Sequence, residues 1–134
     1  MLKNKAPLTC LLLLTAACVH ARQLSTAIKL NQCGFYPNAP KVAVITGPVA
    51  ERNFYITTTN LRDTVFRGTL SEEKNSAYST TKTRVADFSA LTAQGSFVIA
   101  VPGLGHSYVF SIRREVNRNA ATYVLQAYYY QRVS

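Results

Sequence analysis

Six carboxylates and a single histidine are the side chains beyond residue 21 that could carry general acid–base chemistry. The acids are Glu51, Asp63, Glu72, Glu73, Asp87 and Glu115. Hydrolysis of a glycosidic bond commonly needs two carboxyl groups facing one sugar linkage, yet these acids lie mostly in predicted turns or at the ends of elements. Glu72 and Glu73 are neighbours in a polar segment, which indicates a solvated pair. The carboxylates therefore predict no catalytic pair.

The histidine and the cysteines predict no site either. His106 follows Gly105 in a predicted turn, and no Gly-x-Ser-x-Gly nucleophile elbow precedes it. Cys10 and Cys18 fall in the N-terminal leader, so Cys33 stands alone without a disulfide partner or a cysteine-based metal site. Because Cys33 sits in an alternating apolar pattern, we expect it to be a buried small hydrophobe. With no phosphate-cradling glycine loop or spaced metal-ligand cluster, we expect no catalytic residue, no metal and no cofactor.

Residues 1–21 have the pattern of a secretory signal peptide. Lys3 and Lys5 form a short basic region, Leu8–Ala17 is an apolar run, and Val19-His20-Ala21 is a small-residue exit. The apolar run is shorter than the roughly 20 residues that a membrane-spanning helix needs. We therefore expect export without a membrane span.

Two ways of processing this leader remain open. Cleavage after Ala21 fits a small-x-small site and is the favoured interpretation. The alternative is a lipoprotein signal at Leu14–Cys18, with Cys18 acylated as a lipid anchor, although Thr15 stands where a branched apolar residue is expected. The expected location is periplasmic or extracellular in the first case, and an outer-membrane lipoprotein in the second.

Cleavage after Ala21 leaves 113 of the 134 residues, enough for one small domain. Without Lys3 and Lys5, 13 basic and 6 acidic residues give a net charge of +7. Only Arg113, Arg114 and Arg118 cluster. Eight of the others are spread singly along the chain, at Lys29, Lys41, Arg52, Arg62, Arg67, Lys74, Lys82 and Arg84. Because no basic stripe or recognition motif is present, we expect solvated cations on strand edges and no nucleic-acid partner.

Short alternating runs separated by turn signals predict about seven strands within residues 26–113, packed as an antiparallel β-sandwich. The predicted strands are Ala27–Asn31, Lys41–Thr46, Phe54–Thr59, Thr64–Leu70, Tyr78–Asp87, Gly95–Val101 and Ser107–Ile112. Alternation within them predicts a core that includes Ile28, Leu30, Val42, Val44, Phe97, Ile99, Val101 and Phe110. The fold class is mainly β.

One C-terminal α-helix follows, from about Glu115 to Arg132, because the apolar period changes to three and four residues. Its predicted stripe contains Val116, Ala120, Tyr123, Ala127 and Tyr130, widened by Val124 and Tyr128. A sandwich of this size has few apolar faces left for a helix to pack against. We therefore expect Tyr123, Tyr128 and Tyr130 to remain substantially exposed, which favours a second domain to cover them.

Three stretches in order carry a family resemblance. Asn31–Ala43 has the pattern Asn-Gln-apolar-Gly-aromatic-x-Pro followed by Lys-x-Ala. Asp87-Phe88-Ser89 precedes Gly95-Ser96-Phe97, and the Gly103–Phe110 region leads to Tyr129-Tyr130-Gln131-Arg132. Together they resemble the N-terminal immunoglobulin-like domain of family 9 glycoside hydrolases, the cellulase and endoglucanase group, over about Ile28 to Arg132. Cys33 departs from the usual Val, Ile or Leu, and Val133-Ser134 from the usual Gly after Gln-Arg.

The resemblance implies an accessory domain of a larger enzyme. It implies an immunoglobulin-like sandwich over residues 26–113 and, over residues 114–134, the first helix of a truncated (α/α)6 barrel that hydrolyses β-1,4-glucan with inversion. No residue here matches the family's catalytic motifs, so none is assigned. The implied partner is the catalytic domain in cis, and β-glucan polysaccharide is a further candidate partner. The alternatives are a carbohydrate-binding module or an adhesion-type sandwich.

Overall fold

The computed structural model describes residues 23–132, without the side chain of Ser76. The predictions for the leader and for Val133-Ser134 lie outside the described residues. Nine strands precede one helix in the described range. They are β1 (Ile28–Lys29), β2 (Val42–Thr46), β3 (Asn53–Thr58), β4 (Thr64–Thr69), β5 (Lys74–Ser76), β6 (Ser79–Asp87), β7 (Gly95–Val101), β8 (Gly105–His106) and β9 (Phe110–Ile112), followed by α1 (Arg118–Gln131). The predicted fold class, mainly β with one C-terminal helix, is confirmed.

The strands form two sheets by antiparallel pairing. One sheet has the order β1-β2-β6-β5, and the other has the order β4-β3-β7-β8, with β9 also pairing with β7. Two strands were not expected from the sequence, since β5 forms inside the polar segment before Tyr78 and β8 inside the predicted turn at Gly103–His106. Both strands are short, and both extend hydrogen bonding at the side of a longer neighbour.

The core lies between the sheets and is rich in phenylalanine. Phe97, Ile99 and Val101 of β7 are buried as predicted, and Val98 of the same strand is buried too. The Phe35 ring meets the rings of Phe88 and Phe110 edge-on, with centroid distances of 5.3 and 5.7 Å. Edge-to-face pairs at this spacing add to the stability that area burial provides. Ile28 and Phe110 are also buried as expected, whereas Leu30 is only partly buried.

The predicted inward face of β2 is wrong. Val42 is 46% exposed and Val44 is half-buried, whereas Ala43 and Ile45 are buried on the other face. The run Val-Ala-Val-Ile is apolar at every position, so a period of two cannot choose between its faces. The strand register determines which face is buried, because Ile45 lies opposite the buried Ile28 of β1. Lys41, which lies two and four residues before Ala43 and Ile45, is buried on the same side.

The predicted burial of Cys33 is also wrong, because its side chain is exposed. The residue lies in a turn closed by Asn31, whose Oδ1 accepts a hydrogen bond from the Cys33 amide and whose Nδ2 donates to the Gly34 carbonyl. Asparagine side chains commonly close turns in this way. The turn leaves the Cys33 thiol on the outside.

Helix α1 begins at Arg118, three residues later than predicted, after a series of turns. None of its residues Arg118–Gln131 is buried. Tyr123, Tyr128 and Tyr130 are 69%, 65% and 71% exposed, which confirms the expectation that they remain uncovered in this chain.

Candidate functional site

Lys41, the lysine of the Asn31–Ala43 motif, is fully buried. Its ammonium group donates hydrogen bonds to the carbonyls of Pro37, at 2.7 Å, and Ala39, at 2.8 Å. Buried lysines are rare and need partners of this kind. Removal from water lowers the pKa of Lys41, and the nearby Asp87 carboxylate partly opposes that shift. The expectation of a solvated cation is therefore wrong for Lys41, because an isolated lysine at a strand start gives no signal in the sequence that it is buried.

The backbone of Lys41 holds a second segment, the Asp-Phe-Ser part of the pattern. The Lys41 amide donates to Ser89 Oγ at 2.9 Å, and the Phe88 amide donates to the Lys41 carbonyl at 3.0 Å. Asp87 Oδ1 in turn accepts from the Ser89 amide at 2.9 Å. The hydrogen bond from the Ser89 amide, and after it one with the Ser89 hydroxyl, lowers the pKa of Asp87. One residue thus fixes two loops that are nearly fifty positions apart.

The two loops form the walls of a cleft of about 540 Å³, which we name the polar cleft because five of its six lining residues have polar side chains. Tyr36, Pro37 and Asn38 line one wall, and Thr92 and Gln94 line the other. Arg114 completes the lining from the segment that leads to α1. Tyr36 is 42% exposed here. The lining holds hydroxyls, amides and one guanidinium, and no carboxylate.

The segment between β9 and α1 is attached to the sandwich. The Phe35 amide donates to the Ser111 carbonyl at 2.8 Å, and the Arg113 amide donates to the Phe35 carbonyl at 3.0 Å. Gly34 has φ of +102°, and a Cβ there would stand 2.5 Å from Val116 Cγ2. Glycine is therefore required at this position for both its conformation and the close approach of Val116. The chain leaves the sandwich along a fixed path.

A second, more apolar groove lies at the open edge between the sheets. It has a volume of about 420 Å³ and is lined mainly from the β1 region and by Tyr108. Its lining residues are Thr26, Ile28, Lys29, Leu30, Gln32 and Tyr108. Tyr108 is 48% exposed and the adjacent Val109 is 52% exposed. This edge and α1 present most of the exposed apolar side chains of residues 23–132.

Helix α1 is apolar around much of its circumference. The large exposed side chains are Tyr123, Val124, Leu125, Tyr128, Tyr129 and Tyr130. At 100° per residue, Tyr123 and Leu125 lie on nearly opposite faces. A helix that is apolar on more than one face is typical of a protein interior. Contacts on two sides are therefore needed to cover α1.

The side chains that could carry acid–base chemistry do not converge. Glu72 pairs with Arg52 at 3.5 Å, and Glu73 pairs with Lys82 at 2.8 Å. The hydrogen bond from Lys82, more than any other contact, lowers the pKa of Glu73. Among four surface clefts, one contains Glu51, one contains Glu73, and the other two contain no carboxylate.

No trio of His, Cys, Asp or Glu suited to a metal ion occurs between residues 23 and 132. Helices in that part of the chain are too short or too polar to cross a membrane. His106 lies on β8, where its Nδ1 contacts the Ser107 carbonyl at 3.0 Å.

The aromatic side chains of the sandwich do not form a flat platform for a sugar ring. Tyr55 of β3 is covered by the Arg67 guanidinium, 5.1 Å from the ring centroid. The other exposed tyrosines of the sandwich are Tyr36, Tyr78 and Tyr108, which lie in three separate connections. This arrangement disfavours the carbohydrate-binding alternative.

Comparison with known proteins identifies the family. The family model described as "Cellulase N-terminal ig-like domain" matches residues 23–106. The xyloglucan-specific endo-β-1,4-glucanase of Bacteroides ovatus is 36% identical over 124 residues, covering 90% of this chain and 20% of the relative. Endoglucanase D of Acetivibrio thermocellus is 32% identical over 103 residues, covering 73% of this chain and 15% of the relative. The chain thus spans a fifth or less of the length of these curated relatives.

Comparison with solved structures points to the same family. The Bacteroides ovatus family 9 glycoside hydrolase superposes with a TM-score of 0.70 at 35% identity, covering 81% of this chain and 19% of the solved one. Endoglucanase J30, also of family 9, gives a TM-score of 0.54 at 33% identity, covering 58% of this chain and 14% of the solved one. This chain belongs to the family of N-terminal immunoglobulin-like domains of cellulases, and the relatives that contain it are glycoside hydrolases of family 9.

Proposed function

We propose that this chain is the non-catalytic accessory domain of a family 9 endoglucanase, and that it packs against the catalytic domain in cis and stabilises it. The observation that carries the proposal is α1, which continues the domain with no buried residue and large apolar side chains on several faces. Such a helix becomes stable by packing rather than by propensity. The proposed partner is the rest of an (α/α)6 barrel that begins with residues 114–134.

The lengths of the relatives support this proposal. The match to the Bacteroides ovatus enzyme leaves out only about a tenth of the 134 residues, so it extends into α1. Four-fifths of that enzyme lies outside the match. The relatives are named endo-β-1,4-glucanase, endoglucanase and cellodextrinase. We therefore assign the whole protein to β-1,4-glucan breakdown.

A hybrid enzyme tests the stabilising role. Residues 23–117 would replace the matching segment of the Bacteroides ovatus enzyme, and the control would be that enzyme with the segment deleted. We expect the hybrid to melt at a higher temperature and to retain more xyloglucanase activity than the deleted form. Equal melting temperature and activity would show that the domain does not stabilise its neighbour.

Export is a separate proposal, supported by the basic, apolar and small-residue pattern of residues 1–21. Expression of the 134-residue chain in a bacterium, followed by fractionation and N-terminal sequencing, tests it. A mature N-terminus at Arg22 supports cleavage after Ala21, and a blocked, lipid-labelled Cys18 supports the lipoprotein alternative. Retention of an uncut leader in the cytoplasm would contradict both.

A further inference from the structure

The polar cleft between Tyr36–Asn38 and Thr92–Gln94 has rigid walls. Lys41 Nζ holds the first wall through two carbonyls, and the Lys41 backbone holds the Phe88–Ser89 turn, from which the second wall continues. The Leu91 amide donates to the Phe88 carbonyl at 2.9 Å, and the Leu91 side chain is buried. A cleft fixed in this way loses little conformational entropy when it is filled.

Arg114 gives the cleft its charge. The two nearby arginines have partners: Arg113 donates to Ser111 Oγ at 3.1 Å, and Arg118 pairs with Glu115 at 2.6 Å. Arg114 forms no ion pair within residues 23–132 and is exposed. The other cleft residues are uncharged. The side chains that line the cleft therefore offer a ligand one cation, two amides and two hydroxyls.

The cleft also lies beside the exit of the chain from the sandwich. Arg114 lines it, and Val116, two residues later, is packed on Gly34. A domain attached through so short and fixed a segment is present at an effective concentration on the order of millimolar. Interfaces between domains of one chain are polar, and tyrosine and arginine are enriched in interfaces generally.

We propose that this cleft receives an acidic side chain, Asp or Glu, from a loop of the catalytic domain in the same polypeptide, with Arg114 as its partner and Lys41 as the residue that keeps the cleft open. The proposal rests on the proposed function, since it names the contact by which the accessory domain would engage the enzyme. A planar guanidinium binds a carboxylate through two parallel hydrogen bonds.

Charge removal in the hybrid enzyme tests the contact. Arg114→Gln should lower the melting temperature of the hybrid by roughly 2–4 °C at low ionic strength. The difference should shrink at 1 M NaCl, where the Debye length falls to about 3 Å. The matched control is Arg113→Gln, which removes the neighbouring cation outside the cleft. In the 134-residue chain alone, Arg114→Gln should leave the melting temperature unchanged, because Arg114 has no ion-pair partner there.

The outcomes separate this inference from the proposed function. If the accessory domain stabilises the hybrid but Arg114→Gln behaves as Arg113→Gln does, the cleft contact is wrong and the stabilising role stands. If the domain confers no stability at all, the proposed function itself fails. If cellohexaose instead raises the melting temperature of the 134-residue chain, and Tyr36→Ala abolishes that rise, the cleft binds glucan and the proposal is overturned.

Discussion

Lys41 explains at the residue scale why the Asn31–Ala43 and Asp87–Ser89 segments occur together. Its ammonium group serves two carbonyls of one segment, and its backbone amide and carbonyl serve Ser89 and Phe88 of the other. A buried ammonium group is tolerated here because each hydrogen bond to a carbonyl replaces a hydrogen bond that the group would make to water in the unfolded chain. The motif is therefore a structural device of the domain rather than a catalytic one.

Replacing Lys41 by methionine should destabilise the domain by about 1–3 kcal/mol. Methionine keeps most of the buried stem but leaves the carbonyls of Pro37 and Ala39 without their donor. Lys29→Met, at the exposed position of β1, is the matched control and should change the free energy of unfolding by less than about 0.5 kcal/mol. Urea unfolding of the 134-residue chain measures both. Equal effects of the two substitutions would show that the buried bonds contribute nothing.

Asp87 predicts a specific dependence of stability on pH. Hydrogen bonds from the Ser89 amide and hydroxyl hold the pKa of Asp87 in the folded state below its ordinary value. The folded state therefore gains stability above the pKa that Asp87 has in the unfolded chain, and this gain is lost as the pH falls through the folded pKa. Asp87→Asn should flatten the fall in the free energy of unfolding in this acid range. Asp63→Asn, in the β3–β4 turn, is the control, and an identical acid profile for both variants would contradict the assignment.

At the scale of elements, the aromatic core should be the largest contributor to stability. Phe97 and Phe110 are 5% and 2% exposed, and their ring centroids are 6.2 Å apart. Truncating either to alanine should cost about 3–5 kcal/mol. Val42→Ala, on the exposed face of β2, should cost far less. A small loss for both phenylalanines in thermal or urea unfolding would show that the core tolerates collapse at these sites.

Apolar runs identify the strands, but they do not by themselves show which face of a strand is buried. Residues 97–101 of β7 and 42–45 of β2 are all apolar. The predicted core residues of β7 are buried, although Val98 is buried as well, whereas the inward face of β2 was predicted wrongly. Cys33 was wrongly predicted to be buried, because its segment alternates like a strand. The hydrogen bonds of the Asn31 side chain instead fold that segment into a turn. The polar cleft could not be predicted, because it depends on a buried lysine that joins loops distant in sequence.

Helix α1 should be dispensable for folding of the sandwich. None of its residues is buried, but Val116, which precedes it, packs on Gly34. A variant that ends at Asn117 should therefore keep the melting temperature of the parent chain within a few degrees and aggregate less, because the exposed tyrosines are removed. Circular dichroism and light scattering measure the two effects. Unfolding of the strands in this variant would show that α1 belongs to the domain's own core and would weaken the case for a second domain.

At the scale of the whole molecule, α1 and the polar cleft lie next to each other, so one partner could contact both. Arg114 lines the cleft, Val116 fixes the exit on Gly34, and α1 begins at Arg118. A single neighbouring domain attached through α1 would reach both surfaces. The family relationship and the local geometry thus favour the same partner, although they are independent observations.

The whole chain should have no glycosidase activity of its own. Hydrolysis requires two carboxyl groups about 5–10 Å apart across one sugar bond. The described carboxylates are instead paired with cations, as Glu72, Glu73 and Glu115 are, hydrogen-bonded to Ser89, as Asp87 is, or placed in separate connections between strands, as Glu51 and Asp63 are. Incubation of the purified 134-residue chain with soluble β-glucan or xyloglucan should release no more reducing sugar than a heat-treated sample. The hybrid with the Bacteroides ovatus enzyme is the positive control. Release above the heat-treated level, abolished by a Glu73→Gln or Glu51→Gln substitution, would reveal a catalytic carboxylate and contradict the accessory role.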